Sequence, residues 1–129
     1  MKILFIHDEY QQAGGEQSVV NAQLQLLRSK GHEVILYHRE NSEINHYNLY
    51  QKARFFLQTI YSVRTVKEIR RLISIHKPDI AHVHNVFPLI SPSVYWALAR
   101  HGIPIVQTVH NFRFMCPNGL FYTHGQVCE

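Results

Sequence analysis

Long apolar runs are missing from this chain. The longest uninterrupted ones cover only a few residues, whereas a helix crossing a bilayer needs about 20. The apolar opening Ile3-Leu4-Phe5-Ile6 meets His7, Asp8 and Glu9 at once. That is too short and too acidic for a secretory signal, so a cytoplasmic protein is expected. Cysteine is scarce: Cys116 and Cys128 are the only two, read as free thiols in a reducing compartment. Their spacing matches no zinc knuckle. No G-x-G-x-x-G and no Walker loop occur, so the fingerprints of dinucleotide and P-loop binding are lacking, although Glu40 lies near the place of a ribose-binding acid. Repeats and low-complexity stretches are absent too.

The net charge of +4 is local. Between Lys52 and Arg71 there are six basic residues (Lys52, Arg54, Arg64, Lys67, Arg70, Arg71) and one acid, Glu68, so the remainder of the chain carries −1. Such a patch is no general signal for nucleic acid, and none is expected as partner. Arg54, Phe55, Phe56 and Leu57 mix charge with bulky apolar groups, and the cations that follow fall on a helix. The stretch from Arg54 to Arg71 is therefore read either as a solvated helix face or as a peripheral dock on anionic lipid.

At 129 residues with 46% hydrophobic content, the chain has the size and composition of one globular domain with a core. Short apolar runs alternate with helix-period segments, the pattern of a parallel α/β sheet. Strands are expected at Lys2–His7, Glu33–His38, Asp79–His84 and Pro104–His110. Val20, Leu24 and Leu27 mark a helix that stops at Gly31, and Val66, Ile69, Ile73 and His76 mark another that ends at Lys77-Pro78. A third starts at Ser91-Pro92, with Pro92 in its first turn, and runs to Arg100. Asn41–Tyr50 reads as loop, Asp8–Gly14 as a polar loop, and Asn118-Gly119 as a hairpin turn. Nearly all-apolar strands such as 103–109 need cover on both faces, so the sheet is expected to be doubly wound.

In such sheets ligands sit beyond the carboxyl ends of the strands, where strand order reverses. Each expected strand ends in histidine: His7, His38, His84 and His110. Three are followed by a polar residue, giving His7-Asp8, His84-Asn85 and His110-Asn111. Strand-end histidines can simply bond the next loop, but four together point to a polar ligand crevice. Gly14-Gly15 lies at the mouth of the first helix, where backbone N–H groups approach a ligand and the helix N-terminus favours phosphate; a bare turn followed by Glu16 in the first helical turn is the alternative. His82 and His84 share a face by alternation, yet no carboxylate follows at a diagnostic spacing, so no metal is assigned.

Met1–His7, Ala13-Gly14-Gly15-Glu16 and Ser29-Lys30-Gly31-His32-Glu33-Val34 resemble the opening of the family 4 retaining glycosyltransferases. Lys77-Pro78-Asp79-Ile80-Ala81-His82-Val83-His84-Asn85 is similar to another of their segments, and Gly102-Ile103-Pro104-Ile105-Val106 with Thr108-Val109-His110-Asn111 to their next strand. Cys116-Pro117-Asn118-Gly119, Gly125 and Cys128-Glu129 look like a branch with a cysteine-bearing hairpin. The resemblance spans nearly the whole chain.

It implies a GT-B architecture of two Rossmann-like domains facing a cleft, with this chain as the N-terminal, acceptor-side half. The chemistry implied is transfer of a hexose from a nucleoside diphosphate to an acceptor hydroxyl, with retention and with no metal or other cofactor. His110 would be the catalytic histidine that contacts the transferred sugar. Gly14, Gly15, Glu16, His84, Asn85 and Asn111 would bind substrate, the donor being a nucleotide sugar and the acceptor a glycan or a lipid-linked molecule at the inner membrane face. The family's second-domain motif, two Glu separated by seven residues, does not occur here. A fragment inactive alone, with the donor-binding domain absent from residues 1–129, is therefore expected. Three rivals stand beside this: a non-catalytic nucleotide- or partner-binding module, a nicotinamide-dependent oxidoreductase, and a zinc hydrolase.

Overall fold

Ile3-Leu4-Phe5-Ile6 is apolar at every position, and a strand of that kind needs both faces covered. In the computed structural model, which describes residues 1–10, 15–116 and 118–127, it forms the middle of β1 (Lys2–Glu9), buried from Ile3 to Asp8. β1 pairs in parallel with β2 (Glu33–Glu40) on one side and β3 (Ile80–Val83) on the other, and β4 (Ile105–Gln107) pairs with β3. The order is β2-β1-β3-β4, all parallel. α1 (Gly15–Ser29) connects β1 to β2. A 3-10 helix (Asn41–His46), α2 (Leu49–Ile60) and α3 (Val63–His76) carry the chain back past β1 to β3, and α4 (Ser93–Ala99) leads on to β4.

Alternation along β1 splits the core in two. Leu4 and Ile6, with Ala81 and Val83, face Val66, Ile69 and Ile73 of α3 and Val94, Ala97 and Leu98 of α4. Phe5 points the other way, against Val20 and Leu24 of α1, with Leu27 and Val34 at its margin. Helices thus cover both faces, and the fold is the Rossmann-like, doubly wound α/β sheet expected. The helix ends are set locally: Ser62 Oγ accepts from Thr65 N at 3.2 Å to cap α3, and Lys77, in the left-handed region at φ 49°, closes it before Pro78. The N-termini of α3 and α4 are tied by buried hydroxyls, Ser62 N donating to Ser91 Oγ at 3.0 Å and to Ser93 Oγ at 3.2 Å.

Several expectations need correction. β1 does not stop at His7: Asp8 and Glu9 continue the ladder opposite Arg39 and Glu40, since a neighbouring strand of equal length is there to pair with. β3 and β4 are shorter than expected, so His84 lies just past β3 and His110 three residues past β4. Residues 41–50 are not loop. They hold the 3-10 helix and the start of α2, whose capping box (Asn48 Oδ1 from Gln51 N, Gln51 Oε1 from Asn48 N, both 2.8 Å) was present in the sequence. Pro92 is the N-cap of α4 rather than part of its first turn. The hairpin turn is His124-Gly125, between β5 (Tyr122–Thr123) and β6 (Gln126–Val127), where both central residues have positive φ; Asn118-Gly119 makes an earlier turn. β4 is an edge strand whose Ile105 and Val106 are exposed, not covered on both faces. Gly14 and Cys128 lie outside the described residues, while Cys116 is a buried free thiol, its Sγ 2.8 Å from Asn118 Oδ1.

Ile69 is fully buried between α3 and the sheet, whereas Ile75 on the same helix is 59% exposed. Ile69→Ala is expected to lower unfolding free energy by about 2–5 kcal/mol, and Ile75→Ala by no more than about 0.5 kcal/mol. Urea denaturation of the two variants measures both. Equal losses would show that α3 does not pack through the Ile69 stripe.

Candidate functional site

Strand order reverses between β1 and β3, so the crevice of the sheet opens beyond their carboxyl ends. His7 and Asp8 arrive there from β1, His84 and Asn85 from β3, and His110 and Asn111 from the segment after β4. The backbone holds them in step: His84 N donates to Ile6 O, and Thr108 N to Val83 O, both at 2.9 Å. Gln107 Nε2 donates to the carbonyl of His84, and Tyr95 Oη donates to Gln107 Oε1 at 2.6 Å.

The histidines form one connected layer on the α1 face of the sheet. His84 stacks on Phe5 with ring centres 4.5 Å apart, lies 4.4 Å from the ring of His82, and stacks on His110 at 5.1 Å. His84 Nδ1 and His110 Nε2 are 2.8 Å apart. One of these nitrogens carries a proton and the other accepts it, so the pair requires at least one neutral ring. His82 Nε2 meets Thr108 Oγ1 at 2.8 Å, and His7 stands 6.0 Å from the rings of both His38 and His84. His38 itself bonds Glu9 at 2.8 Å, and with Glu40 these two place three ligand-type atoms within 4.8 Å of one another.

Burial sets the charge of this layer. Desolvation lowers His7, His82 and His110, and it pushes His84 down to about 3, helped by the neighbouring imidazoles. All four therefore stay neutral at pH 7. His7 Nε2 donates to Gln17 Oε1 at 3.1 Å, which leaves Nδ1 as a lone pair 3.8 Å from Glu16 Oε1. Burial raises the Glu16 carboxyl as well. His7 Nδ1, Glu16 Oε1, His84 Nε2 and Asp8 Oδ1 are buried with no hydrogen-bond partner among the described residues. Buried polar atoms are ordinarily satisfied, and those of His7, Glu16 and His84, neighbours where α1 meets the strand ends, suit a polar ligand.

Asp8 is the strongest anomaly. Burial raises its carboxyl to about 7, against the lowering effect of two backbone donors, Leu89 N at 2.7 Å and Ile90 N at 3.4 Å, and of Arg39. Asn85 is brought to the site as a fastener. Its Nδ2 donates to Asp8 O and Phe87 O, each at 3.1 Å. Asn111 Oδ1 accepts from Arg113 N at 3.0 Å, and its Nδ2 is 3.5 Å from Tyr10 Oη, a ring that Arg113 covers at 5.1 Å. Gly15 begins α1 with open space around its missing Cβ; Gly14 is outside the described residues. Sequence reasoning missed Tyr10, Gln17 and Arg113. Gln17 sits in the first turn of α1 and was findable there, whereas Tyr10 and Arg113 meet only through the fold.

The recess between His84 and His110 encloses only about 10 Å³, so a ligand would lie across it. A larger groove of about 740 Å³ lies between α2 and α3, but the linked histidines and the raised carboxyl are at the strand ends. Fold and crevice together define a Rossmann-like α/β domain with a polar set of neutral imidazoles at its switch point. A family model described as Glycosyltransferase Family 4 matches residues 13–126, and the chain belongs to that family. No curated protein and no solved structure matches significantly. Among the described residues no helix is long and apolar enough to cross a membrane.

The two kinds of shift have opposite pH signatures. Unfolded His84 takes up a proton near 6.5 and the folded residue only near 3, so its stabilising contribution is present above about pH 6.5 and lost as pH falls toward 3. Asp8 stays protonated in the fold up to about 7 but ionises near 3.8 when unfolded, so its contribution is lost as pH rises between those values. Relative to the parent, the melting temperature of His84→Gln is expected to rise as the pH is lowered from 7 to 5. That of Asp8→Asn is expected to rise as the pH is increased over the same interval. Two flat differences would mean that neither group titrates out of its ordinary range.

Proposed function

We propose that the domain is the acceptor-side half of a retaining glycosyltransferase that moves a hexosyl group from a nucleoside-diphosphate sugar to an acceptor hydroxyl, in polysaccharide or glycolipid synthesis. A donor-gripping domain would supply the facing wall of the cleft. The observation that carries this reading is the His84–His110 pair at 2.8 Å beside the switch point, in a chain of this family. When His84 Nδ1–H donates to His110 Nε2, the remaining Nδ1–H of His110 is a fixed donor. A preorganised donor of this kind stabilises charge developing between sugar and leaving phosphate, because it needs no reorientation at the moment of reaction. Burial keeps both rings neutral at pH 7, which suits a hydrogen-bond donor more than a proton-carrying acid.

The other residues take supporting roles. Gly15, the first residue of α1, and Gly14 before it in sequence would let the diphosphate approach the helix N-terminus. Glu16 and the lone pair of His7 would receive hydroxyls of a sugar, and Asn111 would line the rim with Tyr10. His84 positions His110, and Asn85 positions the loop after β3. An acceptor carried on a lipid at the cytoplasmic membrane face would suit the basic stretch Arg54–Arg71.

With the donor domain present, His110→Ala is expected to lower turnover by roughly 10²–10³ with unchanged thermal unfolding. A near-normal rate would remove His110 from the site. Residues 1–129 alone are expected to bind a nucleotide sugar weakly and to transfer none, since positioning both reactants supplies several kcal/mol of such a barrier. Incubation with a panel of nucleotide sugars and acceptors checks this, and robust turnover by the monomer would point to a complete enzyme of another kind.

A further inference from the structure

α2 is turned inside out. A surface helix normally directs its apolar stripe at the core, yet Leu49, Phe56, Leu57 and Ile60, at i, i+7, i+8 and i+11, are 86, 73, 66 and 61% exposed. Half-buried Phe55 reaches inward, its ring 5.9 Å from that of Tyr47. Beside the stripe lies the groove of about 740 Å³ between α2 and α3. Leu57, Tyr61 and Val63 give it apolar walls, and Arg54, Lys67 and Arg71 give it charge. The one acid lining it, Glu68, already accepts from Arg64 Nε at 2.8 Å and from Tyr37 Oη at 2.6 Å. The surface continues through Tyr61 to Trp96, ring centres 6.2 Å apart. The guanidinium groups of Arg70 and Arg100 lie over that indole at 5.5 and 4.8 Å.

We propose that this groove and the outward stripe of α2 dock the protein on the surface of an anionic phospholipid bilayer. Exposed apolar area of this extent marks a binding surface. Apolar side chains, a basic rim and an interfacial tryptophan and tyrosine are the features of an element that lies in the headgroup plane. Charge decides the occupant. A second copy would bring its own cations against these, and like charges repel. A bilayer of anionic lipid offers negative headgroups for Arg54, Lys67 and Arg71 and acyl chains for Phe56, Leu57 and Ile60. Docking does not depend on the transferase reading; that the docked surface presents the acceptor does rest on it.

The test uses phosphatidylcholine vesicles with and without phosphatidylglycerol, and needs neither sugar donor nor acceptor. Co-sedimentation should rise with the anionic lipid and fall with added salt. The emission of Trp96, the only tryptophan, should shift to the blue on binding. Arg54→Glu with Lys67→Glu and Arg71→Glu should weaken binding at least ~10-fold. Phe56→Ser with Leu57→Ser should weaken it comparably, and both variants should keep the parent melting temperature because all five side chains are exposed. Equal partitioning onto neutral vesicles, or none onto either, overturns the proposal. So does self-association of the parent that Phe56→Ser with Leu57→Ser abolishes while vesicle binding persists, for the stripe would then be an interface between copies. Failure of sugar transfer leaves the vesicle result intact, so the two readings fail separately.

Discussion

Asp8 holds the carboxyl end of β1 to the chain that follows β3. Its backbone N–H donates to Asn85 O at 2.9 Å, its carbonyl accepts from Asn85 Nδ2, and its carboxyl accepts from Leu89 and Ile90. Those bonds cross the place where strand order reverses. They add directional bonds to the burial of Val86, Leu89 and Ile90 in holding the loop from Asn85 to Ser91 against β1 and setting the entry to α4. The carboxyl is fully buried, so burial disfavours its charge while the two amides favour it, and its titration near 7 is the compromise. A neutral hydrophobe there would leave two buried amides unsatisfied, a cost of about 1–3 kcal/mol for each. The site is thus built on a group that is itself poised between two protonation states.

The histidine layer follows the same logic of polar groups under cover. Imidazole is one of few side chains able to sit in a core as a flat apolar ring and still present a donor and an acceptor at its edge. His84 uses the ring against Phe5 and the edge against His110. Crowding several rings ensures neutrality, because each proton gained would be desolvated and repelled by the others. A site of neutral donors and acceptors is suited to sugars and to the oxygens of phosphate, whose recognition relies on direction as well as charge. In the proposed docking the basic surface of α2 and α3 would work by the opposite means: exposed cations on long side chains give attraction without fixed geometry. Under the two proposals, specific contact and general attachment fall on different surfaces of one small domain.

Local sequence was enough for the sheet, because its strands and covering helices depend on properties visible over a few residues. Continuous apolar runs at 3–6 and 103–106, and helical spacing of Val66, Ile69 and Ile73, follow from burial and period alone, and His7, His84 and His110 were readable as groups near the strand ends, though none is the last residue of its strand. So was the family, whose motifs lie in those segments. Pairing partners lay beyond that reach. Asp8 belongs to β1 because β2 is long enough to pair with it, and no window around Asp8 contains Arg39. The exposure of Phe56 and Leu57 on α2 is likewise a matter of tertiary placement: their stripe has ordinary helical spacing, and it is Phe55, not they, that packs on Tyr47. Tyr10 and Arg113 are a hundred residues apart and meet by the return of the chain past β4. Periodicity and residue type therefore determined the sheet strands and the helices α1, α3 and α4, though not their exact ends. Which groups touch, which carboxyl is desolvated and which apolar stripe is left facing outward were decided by the three-dimensional packing, since contact and dielectric depend on neighbours distant in sequence.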